Sequence, residues 1–519
     1  MWLRPWPLKR ASERSDEPPV DPCAMLPAGA IWVFPILIAA GLLRILPLVW
    51  EDQPAGVDFG LYVLYAERFM ANGTLPVTIP HLQLGSAEWQ YLPGVPALLA
   101  LLSWFASVDP LDTIPLAALV GSLEAGGVLL LAWRLFGRLE VALVSSLIAA
   151  AMPTAVEMVG WGGYPNLIGL ALLPFAYANA LLFWRQPGIG SGLVALLTAF
   201  AVLMVHHLSG LWLVASLGVT CLTQLLVEPR SGLPKIALLL PAGFLLGLPA
   251  MLKTATSVAS MGGLSSFLTG AERFSPTERF VTNSLEHPTA AISIAVLVPG
   301  LAALTFLRRV PSEGKVLVLS HTAIAIVLAF GWLVGIHFHH WRALPFFSLP
   351  TAIAVGALLH LWPSRLTRAA VAMALVAAMT GIAIQEGQRV SKEYRVLTPA
   401  LEEAAAWLKR NSGPEDVIVT SNRVGFHILR LLERPLLVAI PLRDFYSSHP
   451  QALSAARDAM AILEGDHTTL EIRRVRYIVI RAAGPDVPDP MATRTSISRD
   501  SRLALVFENP EVLVYRVGP

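Results

Sequence analysis

The run Glu51-Asp52-Gln53-Pro54-Ala55-Gly56-Val57-Asp58-Phe59-Gly60-Leu61-Tyr62 decides how the rest of this chain is read. It follows an apolar stretch, Ala28 to Trp50, long enough to cross a bilayer as one helix. It puts acids where such a helix would leave the hydrocarbon. Beyond it the sequence returns to apolar runs many times. A polar, acid-bearing segment framed in this way reads as the reactive edge of a membrane-embedded enzyme, with Asp58 its first candidate group.

Composition agrees. Of 519 residues, 55% are hydrophobic and 14% charged, and mean hydropathy is +0.61. A soluble protein of this size has no need of so much apolar surface, so a soluble enzyme is excluded. The formal net charge of +2 comes without a basic tract, which argues against a nucleic-acid partner. Cys23 and Cys221 are too few and too far apart for a disulfide framework or a thiolate metal site. The first apolar run exceeds a signal-peptide core and lacks a small-x-small cleavage site, so it reads as a retained first span.

Spans of suitable length fall near 29–50, 113–134, 139–156, 167–184, 191–206, 208–227, 236–252, 289–307, 316–335, 343–362 and 367–386, about eleven in all. With a cytoplasmic N-terminus, Arg134, Arg138, Arg185, Arg230, Lys235, Arg308, Arg309, Lys315, Arg365 and Arg368 all lie on cytoplasmic connections, as the positive-inside rule requires. The expected layout is mainly α. A cytoplasmic tail (1–27) precedes a polytopic transmembrane helical domain (28–387), and a small extracytoplasmic α/β domain (388–519) follows. Two outer loops stand out, a structured one at 51–112 and a flexible, Ser- and Gly-rich one at 253–288. The chain is thus expected to be a multi-pass protein of the cell membrane.

Within the first outer loop, Val57 to Met70 has a helical period with Tyr62, Tyr65 and Phe69 on one face, broken by Asn72-Gly73-Thr74. Pro93 to Ser107 is apolar but too short to span, and reads as a helix in the outer interface. From Thr398 the pattern becomes that of a soluble domain. A helix begins at Thr398-Pro399, another covers 426–432, and strands fall at 417–419, 436–440, 477–480, 503–507 and 512–517.

Ionisable residues near a membrane are costly, and here they gather on the outer side. Asp58 suits a general base, and it also suits the N-cap of the helix that follows. Glu51 and Asp52 read as a solvated helix end. Glu157 and the run Gly160-Trp161-Gly162-Gly163-Tyr164-Pro165-Asn166 lie between the third and fourth spans, as a ligand-approach loop or a tight turn. His206 and His207 join the fifth and sixth, as site residues or as polar groups at a helix junction. His337, His339, His340 and Arg342 join the ninth and tenth. Arg342 has the fork geometry for phosphate, or it snorkels to the interface. The histidines suit phosphate binding, proton transfer or metal ligation.

This pattern resembles the GT-C glycosyltransferases, polytopic enzymes that use polyprenyl-phosphate-linked sugars. They include oligosaccharyltransferase catalytic subunits, protein O-mannosyltransferases and lipid A aminoarabinose transferases. Asp58, in Gly56-Val57-Asp58-Phe59-Gly60-Leu61-Tyr62, matches the acid that those enzymes place in the first outer loop. Tyr91-Leu92-Pro93-Gly94 looks like their Tyr-Pro segment before an amphipathic helix, and Arg134-Leu135-Phe136-Gly137 like the basic end of their second helix. Arg342 is similar to their phosphate-contacting arginine. Glu402 to Leu408 and Tyr515-Arg516-Val517 look like their exported domain.

The resemblance implies Asp58 as catalytic base. It makes Arg342 and the Tyr91 segment parts of the substrate site, and the outer-face residues Glu157, Tyr164, Asn166, His206, His207, His337, His339 and His340 are the further candidates to bind substrate. It also implies inversion at the sugar and a glycan, lipid or protein acceptor whose hydroxyl or amide attacks. Many members place acids in the second outer loop, often near a metal. This chain has Glu157 there and no Asp, so a divalent cation (Mg or Mn) stays an open cofactor and its ligands unknown. A transporter or flippase for a lipid-linked or anionic substrate is the rival reading. It predicts internal repeats and broken, charged spans that the sequence does not plainly show. A non-catalytic scaffold leaves the outer cluster of Asp, His and Arg without a cause.

Overall fold

The first apolar run folds as a 3-10 turn, Ala28–Trp32, that continues into α1 (Val33–Val49). Two elements of the loop region follow, α2 (Phe59–Asn72) and α3 (Gly94–Ala106). The bundle then runs through α4 (Ile114–Val120), α5 (Leu123–Phe136), α6 (Leu139–Ala150), α7 (Pro153–Trp161), α8 (Tyr164–Arg185), α9 (Ile189–Val205), α10 (His207–Val227), α11 (Pro288–Phe306), α12 (Ser312–Phe330), α13 (Ser348–His360) and α14 (Arg365–Glu393). The structure, a computed structural model, describes residues 27–50, 54, 56–74, 92–227, 288–307, 310–330, 343–362, 364–439, 450–482, 497 and 499–518.

Among the described residues, seven helical stretches are long and apolar enough to cross a membrane, and four more apolar helices are shorter. Every expected span falls on one of these except 236–252, which lies outside the described residues. So do the tail before residue 27, the loop 253–287, Glu51, Asp52 and Tyr91, and the whole run from 331 to 342 with His337, His339, His340 and Arg342. The chain is a multi-pass membrane protein. At 13 residues α3 reaches only about 20 Å, short of a hydrocarbon core.

One expectation needs correction. The third span does not end near 156; it breaks at Ala151-Met152 and resumes as α7 with Pro153 in its first turn. Proline lacks the N–H that a continuous helix needs and its ring displaces the preceding carbonyl, so the axis bends there. Glu157 therefore stands on a helix, half-buried, and not in a connecting loop.

The break leaves carbonyls at the end of α6 without helical partners. Arg44 of α1, fully buried, donates from Nη1 to Ala150 O at 3.3 Å and to Ala40 O at 3.2 Å. Its Nη2 meets Glu124 Oε2 of α5 at 3.1 Å, and Ser348 Oγ at the start of α13 donates to Glu124 Oε1 at 2.8 Å. This ion pair joins α1, α5, α6 and α13 inside the bundle.

The C-terminal domain is a five-stranded sheet in the order β2-β1-β3-β5-β4, where β1 is Val417–Ser421, β2 Leu436–Ala439, β3 Val475–Arg481, β4 Leu503–Glu508 and β5 Val512–Val517. Strands β2, β1 and β3 are parallel; β3, β5 and β4 are antiparallel. Alternate residues of β1 face opposite layers. Ile418 packs with α15 (Pro399–Asn411) and α16 (Asn422–Leu432), whereas Val417 and Val419 pack with α17 (Pro450–Glu464). The strands and the first two helices follow the sequence pattern. The helix α17 does not: its buried residues include Ala455, Ala456 and Ala459, too small to mark an apolar stripe.

The domain shares its core with the first loop. Leu61, Leu64 and Tyr65 of α2 lie in one cluster with Leu401, Phe426 and Leu429, while Phe59, Tyr62, Val63 and Ala66 pack into the bundle. The face expected to carry Tyr62, Tyr65 and Phe69 together is thus divided, and α2 is a wedge between bundle and sheet domain. Helix α14, 29 residues or about 44 Å, runs from the bundle toward the same end.

Candidate active site

Asp58 stands at the N-cap position of α2 and is half-buried. Its backbone is already helical (φ −83°, ψ −18°), and its side chain makes no capping hydrogen bond. An N-cap works by lending its side-chain oxygen to the first free N–H groups, so the capping role is not what Asp58 performs.

The loop before it is tied down through its backbone. Gly56 N–H donates to Tyr394 O at 2.9 Å, and Val57 N–H donates to Trp161 O at 3.2 Å. Two glycines cross at this point, Gly56 at φ 126° and Gly162 at φ 87°. A Cβ on Gly56 would stand 2.7 Å from Gly162 Cα. Residues with a side chain cannot adopt these angles and this approach together. The first loop and the turn after α7 are therefore in direct contact. From the other side, His427 Nε2 of α16 lies 3.1 Å from Gly56 O.

The other described candidates stand on the helices that flank this crossing or follow it in the chain. Glu157 is in charge contact with Arg389 of α14, which also pairs with Glu386 at 2.9 Å and Glu393 at 2.8 Å. Tyr164 and Asn166 open α8 and are buried; the Tyr164 hydroxyl and Asn166 Oδ1 have no hydrogen-bond partner among the described residues. Buried polar atoms usually pair with protein or water, so this helix start has hydrogen-bonding capacity to spare. His206 is the N-cap of α10: its Nδ1 accepts from Ser209 N–H at 3.2 Å and lies 2.9 Å from Ser209 Oγ. That is the helix-junction reading of His206. His207 beside it is exposed, with ring centroids 5.0 Å apart.

Charge also links α2 to the sheet domain. Arg430 of α16 reaches Glu67 at 2.8 Å and Asp109 at 3.4 Å, and Arg68 reaches Glu433 at 3.4 Å. Burial raises the Glu67 carboxyl above its usual range, with Arg430 opposing. Among the described residues no group of three or more His, Cys, Asp or Glu side chains is placed to hold a metal ion. Sequence reasoning passed over Arg389, Tyr394 and His427. The first two lie in a charged run after the last span; nothing in the sequence distinguishes His427 from any histidine of a soluble helix.

Neither a family profile nor a curated protein sequence matches the chain. Solved structures do. Arabinofuranosyltransferase AftD from Mycobacteria superposes with a TM-score of 0.62 at 16% identity, over 96% of this chain and 40% of that one. The chain therefore spans well under half the length of AftD. Apo ArnT from Cupriavidus metallidurans gives 0.54 at 12% identity, over 95% and 100% of the two chains. Both are glycosyltransferases of the GT-C type. This chain has the GT-C fold. The Archaeoglobus fulgidus oligosaccharyltransferase, tethered with an acceptor peptide, gives 0.57 at 14% identity over 87% and 69%. ArnT bound to undecaprenyl phosphate gives 0.50 at 15% identity over 95% and 100%. The GT-C fold thus covers bundle, first loop and sheet domain together.

Proposed function

We propose that the chain is a membrane glycosyltransferase that moves a sugar from a polyprenyl-phosphate donor to an acceptor at the outer face of the bilayer. The observation that carries this reading is the crossing of the Gly56–Asp58 loop with the Trp161–Gly163 turn. It presents a half-buried carboxylate, not used as a helix cap, beside the buried polar start of α8. ArnT, of the same fold, has been captured with undecaprenyl phosphate, which supports a lipid phosphate as the leaving group. The oligosaccharyltransferase with its tethered peptide supports a macromolecular acceptor as one option.

In this mechanism the acceptor hydroxyl or amide attacks the anomeric carbon as Asp58 takes its proton. The bond from that carbon to the phosphate oxygen breaks, and the lipid phosphate leaves with both electrons. Arg342, with His339 and His340, holds the phosphate and stabilises the charge that develops on it. One base and direct displacement give inversion.

The test is release of free polyprenyl phosphate by reconstituted protein given a panel of lipid-linked sugars and crude acceptors. Wild type should release it and folded Asp58→Asn should not. Equal release by both removes Asp58 as base. Transbilayer movement of the lipid-linked sugar without release would move the reading to a flippase.

A further inference from the structure

The peptide unit joining Gly56 to Val57 is held at both ends, by two different domains. Its N–H, on Val57, donates to Trp161 O of the bundle at 3.2 Å. Its carbonyl, on Gly56, lies 3.1 Å from Nε2 of His427 in the sheet domain. A carbonyl only accepts, so Nε2 carries a hydrogen. His427 is 1% exposed and its Nδ1 has no hydrogen-bond partner among the described residues. A second proton there would be an unpaired buried charge, so the ring is neutral.

The ring also fits the far side of Asp58. It meets the Phe59 ring edge-on, with centroids 4.5 Å apart. A Cβ at residue 60 would stand 2.8 Å from His427 Nδ1, and the residue there is glycine. His427 thus contacts the chain both before and after Asp58.

We propose that His427 is a positioning residue for the Asp58 base, acting through the Gly56 carbonyl; this rests on the role proposed for Asp58 above. A base must stand within hydrogen-bond reach of the proton it takes, and small displacements cost much turnover. Gly56, at a φ few residues adopt, is the softest link ahead of Asp58. With the His427 bond in place, the following peptide plane cannot rotate. Without it, that plane is fixed only through Val57 N–H, and the chain leading into Asp58 gains freedom. The sheet domain is then part of the mounting of the base, beyond any part it plays in covering the site or guiding an acceptor.

The experiment measures polyprenyl phosphate release by the full chain in proteoliposomes, over a range of donor concentrations, with melting temperature checked for each variant. Glutamine sets an amide N–H about as far from the backbone as Nε2; asparagine falls one bond short; leucine has no donor. The expected result for His427→Leu is a fall in kcat on the order of a hundredfold, with KM for the donor unchanged. His427→Gln should restore most of the turnover. Should the leucine variant not fold, His427→Asn against His427→Gln decides, with asparagine expected low. Wild-type kcat in the leucine or asparagine variant, or a glutamine variant as impaired as they are, would overturn the proposal. Asp58→Asn is run alongside. If it turns over like wild type, the base reading has failed and the positioning role goes with it. If it is inactive while the His427 variants stay fully active, only the positioning role has failed.

Discussion

The Arg44–Glu124 pair and Asp58 are places where charge is held away from water in different ways. Arg44 and Glu124, deep in the bundle, meet each other, two backbone carbonyls and Ser348. Asp58, at the end capped by the sheet domain, is half-buried behind Gly56 and Val57, whose N–H groups bond to Tyr394 and Trp161, and its side chain makes no capping bond to α2. In the first place charge is used to join helices. In the second, structure is used to hold a charge in position. An enzyme needs both, and a variant of each should fail in its own way.

The largest effect is expected at the second place. Asp58→Asn should lower turnover by about 10²–10⁴-fold, the usual worth of a general base, with the melting temperature little changed. A large loss of folded protein would instead make Asp58 a structural residue. Glu124→Ala should do the reverse. Stranding the buried Arg44 costs roughly 3–5 kcal/mol of stability, read as a lower thermal midpoint, while turnover per folded molecule holds. If that variant melts like wild type, the ion pair is not a clasp.

Gly56→Ala tests the crossing that sets the second place apart. The strained φ alone costs about 1–3 kcal/mol, and its methyl would press on Gly162. Turnover should fall more than stability, because the strain lies next to the base. Comparable losses in both would say that the crossing serves the fold alone.

Acid sharpens the comparison at the domain contact. Burial lowers His427 to about 4, with the Gly56 carbonyl opposing and Arg430 adding, against 6.5 for a free histidine. A depressed pKa means that the unfolded chain binds the proton more readily. The stability held in the neutral ring is therefore complete above pH 6.5 and is lost as pH falls from there through about 4. The thermal midpoint of wild type should drop more steeply over that window than that of His427→Gln. The smallest effect is expected for Arg430→Gln. Its pairs with Glu67 and Asp109 are partly solvated, so a loss of roughly 1 kcal/mol or less, shrinking in high salt, should be seen by chemical denaturation.

The sequence carried the bundle because a lipid-facing helix must be apolar along its whole length, and such runs are visible without a partner. It carried the strands because the β-branched run Val417-Ile418-Val419-Thr420 and the valines of Val512 to Val517 favour extended backbone. Helix α17 was hidden for the opposite reason, since its alanines pack closely without looking hydrophobic. Asp58 was legible as an acid after a span, and the Gly160–Asn166 run as an unusual turn. That Gly56 and Gly162 touch was not, because a glycine's meaning lies in what approaches it. Arg44 and Glu124 could have been paired from sequence, being opposite charges in separate spans, where each would need the other. His427 could not, since its partner is a backbone carbonyl, and every residue has one.

The contact between His427 and Gly56 closes a loop of 371 residues. A ribosome adding about 5–20 residues per second needs roughly 20–70 s to travel that far. Asp58 and the start of α2 are therefore made long before His427 has been translated. The Gly56 carbonyl waits for its His427 partner until the sheet domain has been made and has docked.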